Sequence, residues 1–376
     1  MKRQRASLGE LCSLVKGTSP ISKTRPGPYT LVTTGEMHKT ADSFQLETEA
    51  VCIPLISSTG HGHASLKRVH YQTGKFALAN LLAAAIVKDH SVLSAKFLTR
   101  YLMFSKDRLI VPLMTGAANM SISLDRLATV PIEFPPLAEQ ERIANLLDEA
   151  DELRKLRDQA DNRAAALIPA IFNEMFGKPT QQSKQWQMAT LSQVCKFIGG
   201  TSLPSGIPFL GQTEGLLLLK VGDMNESGNE TFINKSREWV SSKILSYNCA
   251  PAGTIVIPKR GGAIATNKKR MLLRDALLDP NLMGILPNDK NLHLEYLFEW
   301  FRQFDLTQIT SGSIVPQLNK QDLAPLKIVI PPQPLQEEFA QRVIGIRKVE
   351  TIQSASRQYL ETLFQSIQHR ALGIVV

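Results

Sequence analysis

Two stretches of this chain decide its fold, because they repeat one pattern 196 residues apart. The first stretch reads Ile132-Glu133-Phe134-Pro135-Pro136, followed by Gln140-Glu141, and the second reads Ile328-Val329-Ile330-Pro331-Pro332, followed by Gln336-Glu337. A proline pair after an apolar run predicts that a strand ends and a helix begins, since proline is tolerated at a helix start but not in its interior. Each stretch therefore predicts the junction between a globular segment and a helix.

The repeat extends over the rest of the chain. The same offset relates Thr115-Gly116 to Ser311-Gly312, and it continues to Gly177 and Gly373. The starts of the two halves match at an offset of 183, where Ala6–Cys12 lies against Ala189–Cys195 and Gly17-Thr18-Ser19 lies against Gly200-Thr201-Ser202. The centres of the two halves do not align, so each half is a shared frame around a divergent centre.

Within each globular segment, short apolar stretches broken by Gly, Pro and Asn predict a mixed α+β fold. We predict strands at 51–56, 216–221 and 254–257, and amphipathic helices at 93–104 and 292–304. The apolar run Phe76–Val87 is too short to span a membrane and is interpreted as a buried helix.

A long helical pattern follows each proline pair. Apolar residues recur at three- and four-residue spacing, which predicts two helices of about 40 residues that pack against each other as an antiparallel coiled coil. Two ordinary surface helices, each packed on its own globular segment, are the alternative. The predicted stripes consist of Ile143, Leu146, Ala150, Leu153, Leu156, Ala160, Ala164, Leu167, Ile171 and Met175, and of Phe339, Val343, Ile346, Val349, Ile352, Tyr359, Leu363 and Ile367. The predicted limits are 1–136 and 179–332 for the globular segments, and 137–178 and 333–376 for the helices.

Positive charge is concentrated in the two globular segments. Residues 1–136 carry 16 Lys and Arg against 9 Asp and Glu, and residues 179–332 carry 16 against 12. The helical segments lack this excess, with 6 against 9 in 137–178 and 5 against 4 in 333–376. A basic excess confined to particular domains is typical of proteins that bind a polyanion such as DNA.

The sequence contains no recognisable catalytic pattern. It has no G-x-x-x-x-G-K-[ST] phosphate loop, no glycine fingerprint of a dinucleotide site and no Asp-Pro-Pro-aromatic or Asn-Pro-Pro-aromatic tetrapeptide. Its four cysteines form no C-x-x-C pair. We interpret His61, His63 and His70 as loop histidines, because a fourth metal ligand is missing from the pattern. We therefore expect no catalytic residue, cofactor or metal in this chain.

Two basic, glycine-containing loops are the predicted DNA contacts. Glycines let a backbone approach a ligand closely, while Lys and Arg can hold phosphates and Arg or Asn can read base edges. The predicted residues of the second half are Lys259, Arg260, Gly261, Gly262, Asn267, Lys268, Lys269 and Arg270, and those of the first half are Ser57, Ser58, His61, His63, Lys67 and Arg68. A solvated turn is the alternative interpretation of each loop.

The doubled arrangement of a strand, Pro-Pro, Gln-Glu and a long helix resembles the specificity subunits of Type I restriction-modification enzymes. The stretch Pro316-Gln317-Leu318 ahead of the second copy is also similar to this family. The first copy departs from the pattern, with Ala117-Ala118-Asn119-Met120-Ser121 where the second has Ser313-Ile314-Val315-Pro316-Gln317.

The resemblance implies a non-catalytic subunit with two target-recognition domains, each reading one half of a split double-stranded DNA target. It implies that the long helices set the spacing and dock two methyltransferase subunits, which bind S-adenosylmethionine, and that restriction and translocase subunits cleave the DNA. We expect a cytoplasmic protein with no membrane partner. Two alternatives stay open: a coiled-coil scaffold that does not bind DNA, and a self-sufficient DNA-modifying enzyme with an unrecognised motif.

Overall fold

The computed structural model describes residues 3–57, 65–116, 120–179, 186–203, 206–210, 215–241, 248–288, 290–310 and 316–372. The chain divides into two compact units, the first containing 1–158 and 355–376 and the second containing 159–354. Both long helices cross this division, since they extend over Leu137–Phe176 and Gln333–Leu372. Each unit therefore contains one globular segment and a part of each long helix.

The first unit has three sheets within its described residues. Its elements are β1 (Gln4–Ser7), α1 (Leu8–Leu11), β2 (Cys12–Lys16), β3 (Tyr29–Val32), β4 (Lys39–Ala41), β5 (Leu46–Glu47), β6 (Ala50–Pro54), β7 (His70–Gln72), β8 (Lys75–Leu78), β9 (Leu82–Val87), α2 (Ala95–Leu109), α3 (Leu124–Ala128), β10 (Pro131–Phe134) and the start of α4 (Leu137–Phe176). The strand orders are β2-β9-β6-β7, β4-β3-β8-β5 and β1-β10.

The second unit repeats this plan with one more strand. Its elements are β11 (Gln187–Thr190), α5 (Leu191–Val194), β12 (Cys195–Gly199), β13 (Phe209–Leu210), β14 (Leu216–Leu219), β15 (Phe232–Ile233), β16 (Glu238–Val240), β17 (Ile255–Pro258), α6 (Gly262–Ala265), β18 (Arg270–Leu272), β19 (Ala276–Leu278), β20 (Leu282–Pro287), α7 (Leu294–Gln303), α8 (Lys320–Leu323), β21 (Lys327–Ile330) and the start of α9 (Gln333–Leu372). The strand orders are β12-β20-β17-β18-β15, β13-β16-β14-β19 and β11-β21.

One helix of each globular segment packs on the long helices of the same unit. In the first unit, Phe97 and Leu98 of α2 share a buried core with Ile143 and Leu147 of α4 and Phe364 of α9. In the second unit, α7 shares a core with both long helices through the residues Tyr296, Phe301, Ile168, Phe172, Phe339 and Val343. The predicted helices at 93–104 and 292–304 are thereby confirmed as α2 and α7, and burial of their apolar faces is what stabilises them.

A buried glutamine joins each long helix to its own globular segment. The Gln140 carboxamide oxygen accepts a hydrogen bond from the Ser94 backbone N–H at 2.9 Å, and its nitrogen donates to the carbonyl oxygens of Val92 and Pro135, both at 2.9 Å. Gln336 repeats these three bonds in the second unit, with the backbone groups of His293, Asn291 and Pro331. Both glutamines are fully buried, so the repeated Gln-Glu pattern has a structural cause.

The long helices run antiparallel within the first unit, as predicted. Arg154 contacts Glu361 at 3.0 Å, and Arg157 donates a hydrogen bond to the Ser356 hydroxyl at 3.0 Å. Because the residue number rises along α4 while it falls along α9, the two helices point in opposite directions.

The predicted apolar stripes are wrong over part of their length. Leu153 and Leu156 of α4 are each 52% exposed, and Val349 and Ile352 of α9 are 49% and 62% exposed. Leu167, Tyr359 and Leu363 are also exposed. Apolar spacing alone does not distinguish a face that packs inside the chain from a second apolar face that remains on the surface.

The predicted buried helix at 76–87 is also wrong. Residues 75–78 form β8 and residues 82–87 form β9, with a turn at Asn80 between them. Strand β9 lies between β2 and β6 in its sheet, and five of its six residues are buried. A strand buried on both faces has the same continuous apolar pattern as a short buried helix, so periodicity did not separate the two.

Candidate DNA interface

The second predicted loop connects β17 to β18. These strands pair antiparallel, with Ile255 opposite Met271, so residues 259–269 project from one end of the sheet. Gly261 has φ +64° and Asn267 has φ +53°, both in the left-handed region that glycine and asparagine tolerate best. The glycine is thus required by the backbone conformation of the loop.

Both predicted loops begin at residues that form the same two backbone hydrogen bonds with a distant segment of their own unit. In the second unit, the Gly261 N–H donates to the Pro316 carbonyl at 2.8 Å, and the Leu318 N–H donates to the Lys259 carbonyl at 3.0 Å. In the first unit, matching bonds of 2.8 and 2.9 Å join Ser57 to Met120 and Ile122 to Leu55. The structure therefore places the two loops at equivalent positions of the repeat, although their sequences do not align.

Three basic residues of the second loop present side chains at or near the surface. Arg260 is exposed, and Lys259 and Lys268 are half-buried. The Lys268 ammonium contacts the Asn225 carboxamide oxygen, which holds it beside residues 221–225. Arg270 lies deeper and donates to the Lys269 carbonyl at 3.0 Å, and burial lowers the pKa of its guanidinium from the ordinary value.

Lys269 points into the protein. Its side chain is 3% exposed, and its ammonium donates to the Phe304 carbonyl at 2.5 Å and to the Asn267 side-chain oxygen at 2.6 Å. Burial lowers the pKa of this ammonium to about 8. Asn267 also accepts from the Leu306 N–H at 3.0 Å, so this pair anchors the loop to the segment after α7.

The first loop is described only in part. The Ser57 N–H donates a hydrogen bond to the Met120 carbonyl, and the Ser57 hydroxyl donates one to the Ser65 carbonyl at 3.2 Å. Lys67 is exposed, and Arg68 forms an ion pair with Glu36 at 2.6 Å. Ser58, His61 and His63 lie outside the described residues.

His70 is separate from the first loop and buried in the globular segment. It is 6% exposed and its ring stands edge-on to His38, with 4.5 Å between the centroids. Burial, assisted by the nearby His38 and Arg68, lowers the pKa of His70 to about 4. Within the described ranges, no group of three or more His, Cys, Asp or Glu side chains is placed to hold a metal ion.

A polar cleft of about 410 Å³ lies beside Arg260. Its lining residues include Thr201, Ser202, Lys220, Asp279 and Asn281. The Asp279 carboxylate accepts from the Asn281 side-chain amide at 2.7 Å, which fixes the orientation of that amide. The predicted site residues did not include this group, because it is assembled from three distant segments.

The repeated Gly-Thr-Ser stretch was the one sequence signal for this cleft. A Cβ atom added to Gly200 would overlap the Asp279 carbonyl, and one added to Gly17 would overlap the Ala79 carbonyl. A close backbone approach therefore requires glycine at this point in both halves. In the first unit, Gln45 accepts from the Thr18 N–H and hydroxyl, both at 3.0 Å, beside the corresponding loop.

The model of the Type I restriction modification DNA specificity domain matches this chain twice, over residues 3–163 and 183–355. The chain belongs to this family. The two matches confirm the internal repeat, and together with the sheets and long helices they confirm the predicted α+β fold of two target-recognition domains joined by two long antiparallel helices. DNA target recognition is the role of this family.

Solved structures from type I restriction-modification systems share the fold over 98–100% of this chain. The S subunit of a Type I restriction-modification system from M. genitalium is 15% identical, with a TM-score of 0.65, and the match covers 100% of this chain and 97% of that one. A chain from a study of complex assembly and conformational transition of the type I R-M system is 18% identical, with a TM-score of 0.59, and the match covers 98% and 97%.

Among the helices that the structure describes, none has both the length and the apolar character needed to cross a lipid bilayer.

Proposed function

We propose that this specificity subunit binds double-stranded DNA through two loop surfaces, one on each recognition domain, and that each domain reads one half of a bipartite target. The observation that carries this proposal is the equivalent anchoring of the 57–68 and 259–270 loops by matching backbone hydrogen bonds. Both loops belong to the segments with the basic excess. Phosphate contacts would position the protein, and base-edge contacts would select the sequence.

The residues of the second loop have different proposed roles. Arg260 borders the polar cleft that Asp279 and Asn281 line, so we assign base-edge contact to this region. Lys259 and Lys268 would contact phosphates. Lys269 would position the loop from inside, because its ammonium is already engaged with Phe304 and Asn267. The remaining predicted residues of both loops stay assigned to the DNA surface.

The two half-sites should differ in sequence. The second domain has the additional strand β15 at the edge of its sheet and an open cleft beside its Gly-Thr-Ser stretch. The first domain has Gln45 hydrogen-bonded at the corresponding stretch. Domains with different surfaces read different base edges, so the whole target is asymmetric with an unread spacer whose length depends on the long helices.

Exposed apolar side chains on the long helices support docking of two copies of one partner. Leu153 and Leu156 of α4 in the first unit correspond at the 196-residue offset to Val349 and Ile352 of α9 in the second unit, and all four are exposed to between 49% and 62%. Exposed apolar patches mark interaction sites. Because the patch residues occur at equivalent positions of both halves, we assign two methyltransferase subunits to them.

The chemistry would belong to these partners. We propose that this subunit is not catalytic and binds no cofactor, that S-adenosylmethionine binds to the methyltransferase subunits, and that restriction and translocase subunits complete the complex in the cytoplasm. The proposed domain limits remain 1–136, 137–178, 179–332 and 333–376.

DNA binding can be tested by measuring affinity at several salt concentrations with the assembled methyltransferase complex. Lys259→Ala and Lys268→Ala should each weaken binding and reduce the slope of log K against log salt by about 1, because both residues are proposed phosphate contacts. Lys327→Ala, an exposed lysine of β21, is the matched control. Unchanged affinity and slope for both loop variants would refute the assignment of this loop.

Partner docking can be tested by native mass spectrometry. Leu156→Asp should remove one methyltransferase subunit, Ile352→Asp should remove the other, and the double variant should remove both. Glu152→Asp, which alters an exposed neighbour without adding charge, is the control. Two bound methyltransferase subunits on the double variant would exclude these patches.

A further inference from the structure

Charged side chains on α2 and α7, the helices of the recognition domains that pack on the long helices, have opposite signs in the two units. Helix α2 carries Lys96 and Arg100, while α7 carries Glu295 and Glu299 at the corresponding positions of the repeat. The charges on the long helices are reversed in the opposite direction, because α4 has Asp151 where α9 has Arg347.

In the first unit, the positive charge is on the recognition domain. Arg100 Nε donates to the Asp148 carboxylate at 2.9 Å, and the remaining guanidinium nitrogens contact Asp148 and Asp151. The side chains of Arg100 and Asp151 are 21% and 22% exposed. These contacts are partly withdrawn from water, so they are screened less than surface ion pairs.

In the second unit, the positive charge is on the long helix. Arg347 of α9 donates to the Glu295 carboxylate at 2.6 Å, and these side chains are 16% and 15% exposed. The guanidinium also lies over the rings of Phe232 and Phe298, 4.6 and 5.9 Å from their centroids. Glu299 lies one turn further along α7, where it is 2% exposed and forms an ion pair with Arg302 of the same helix at 3.5 Å.

Part of the apolar contact surface is shared by the two interfaces. Ile143 and Leu147 of α4 correspond to Phe339 and Val343 of α9, and Phe364 corresponds to Ile168. All six residues are buried. At a fourth position the second interface has Phe172, which is buried against Tyr296 and Phe339, where α9 has Gln368. Apolar packing is non-directional and adaptable, so such differences discriminate less sharply between the two helix sections than opposite charges do.

We propose that the inverted charges specify which helix section each recognition domain occupies, and that they exclude domain exchange with a second copy of this chain. In an exchanged arrangement, Lys96 and Arg100 would face Arg347, while Glu295 and Glu299 would face Asp148 and Asp151. Partly buried like charges repel strongly and lose their partners at the same time. The correct arrangement is thereby selected against a competing one, which is how specificity is obtained between similar surfaces.

The test exchanges the charges of the first interface in the full chain. One variant changes the recognition domain alone (Lys96→Glu with Arg100→Glu), a second changes the long helix alone (Asp148→Ile with Asp151→Arg), and a third combines all four substitutions. The third variant copies the charges of the second interface. Each half-exchanged chain should melt on the order of 10 °C lower than the parent in calorimetry, and the combined chain should regain most of that loss.

A matched control reverses an exposed pair on the same helix, Glu152→Lys with Lys155→Glu, and should shift the melting temperature by about 3 °C at most. Half-exchanged chains that melt like the parent would overturn the proposal, as would a combined chain that shows the sum of both losses. If a half-exchanged chain does not fold, folding of the combined chain supports the proposal, and failure of the combined chain overturns it.

A second experiment tests the choice of helix section. A full-length chain with residues 179–332 in place of 1–136 would carry two copies of the second recognition domain. Its first copy should dock poorly on α4, and Glu295→Lys with Glu299→Arg in that copy should raise the melting temperature. Equal melting temperatures with and without these two changes would contradict the proposal. Neither experiment measures DNA binding, so the result is independent of the proposed function.

Discussion

Replacing Gln140 with leucine should destabilise the first unit, because it replaces a hydrogen-bonded carboxamide with an apolar side chain. The substitution removes three hydrogen bonds, each 2.9 Å long, between the Gln140 carboxamide and the backbone groups of Ser94, Val92 and Pro135. Gln140 is fully buried, so water cannot replace these bonds. The Ser94 N–H and two carbonyl oxygens would remain buried without a partner.

The expected loss follows from the number of bonds. A buried hydrogen bond contributes about 1 kcal/mol net, and leaving its partner unsatisfied raises the cost, so we expect about 3 kcal/mol or slightly more. For a unit of this size, each kcal/mol lowers the melting temperature by about 2–4 °C, which predicts a shift of roughly 6–12 °C. Glu141→Ala, at the exposed neighbouring position, should change stability by less than about 0.5 kcal/mol.

Two probes can separate the units during thermal unfolding. All three tryptophans, Trp186, Trp239 and Trp300, belong to the second unit. Gln140→Leu should therefore shift the calorimetric transition of the first unit more than the tryptophan fluorescence transition, whereas Gln336→Leu should shift the fluorescence transition. A change below about 0.5 kcal/mol for Gln140→Leu would refute the view that this glutamine joins the helix to the recognition domain.

Three further perturbations follow from individual contacts. The pKa of His70 in the folded protein is about 4, below its ordinary value of 6.5, so the stability that neutral His70 contributes above pH 6.5 is lost as the pH falls towards 4. Urea titrations at several pH values should show that the free energy of unfolding depends less on pH in His70→Gln than in the parent. An unchanged pH dependence would contradict this role of His70. Gly200→Ala should lower the melting temperature, because its Cβ would overlap the Asp279 carbonyl, and a neutral effect would contradict the close approach. Phe172→Ala should cost about 3–5 kcal/mol in chemical denaturation, since its ring is buried against Tyr296 and Phe339, and a loss below about 1 kcal/mol would exclude that packing.

The repeat made most of the fold predictable from the sequence. The proline pairs marked the starts of α4 and α9, and the periodic segments at 93–104 and 292–304 correspond to α2 and α7. Local patterns of this kind depend on residues that are close in sequence. The run at 76–87 was predicted wrongly because burial on both faces, which identifies a central strand, depends on distant partners such as β2 and β6.

The candidate site was less accessible to sequence reasoning. Both loops could be selected by their composition, but the equivalence of Ser57 and Gly261 depends on hydrogen bonds to Met120 and Pro316. The burial of Lys269 depends on the Phe304 carbonyl, 35 residues away. A lysine in a basic run gives no local sign that its ammonium is directed inward, and whether these loop residues contact DNA stays a prediction.

The charge inversion between the two interfaces could be predicted from the sequence only in part. Aligning the halves shows that Lys96 and Arg100 correspond to Glu295 and Glu299. That Arg100 faces Asp151, and that Glu295 faces Arg347, depends on the packing of helices that are distant in sequence.

A methylation map of cells that produce this chain with its methyltransferase tests the central claim most directly. The map would be compared between the unchanged chain and a chain in which residues 259–270 are replaced by a Gly-Ser segment of equal length. If each domain reads one half of the target, the unchanged chain should direct methylation to one split, asymmetric motif. The loop replacement should relax or abolish recognition of one half of that motif. Any sites that remain methylated should still contain the other half. An identical motif for both chains, with the complex shown to assemble, would contradict the proposal that this loop reads DNA.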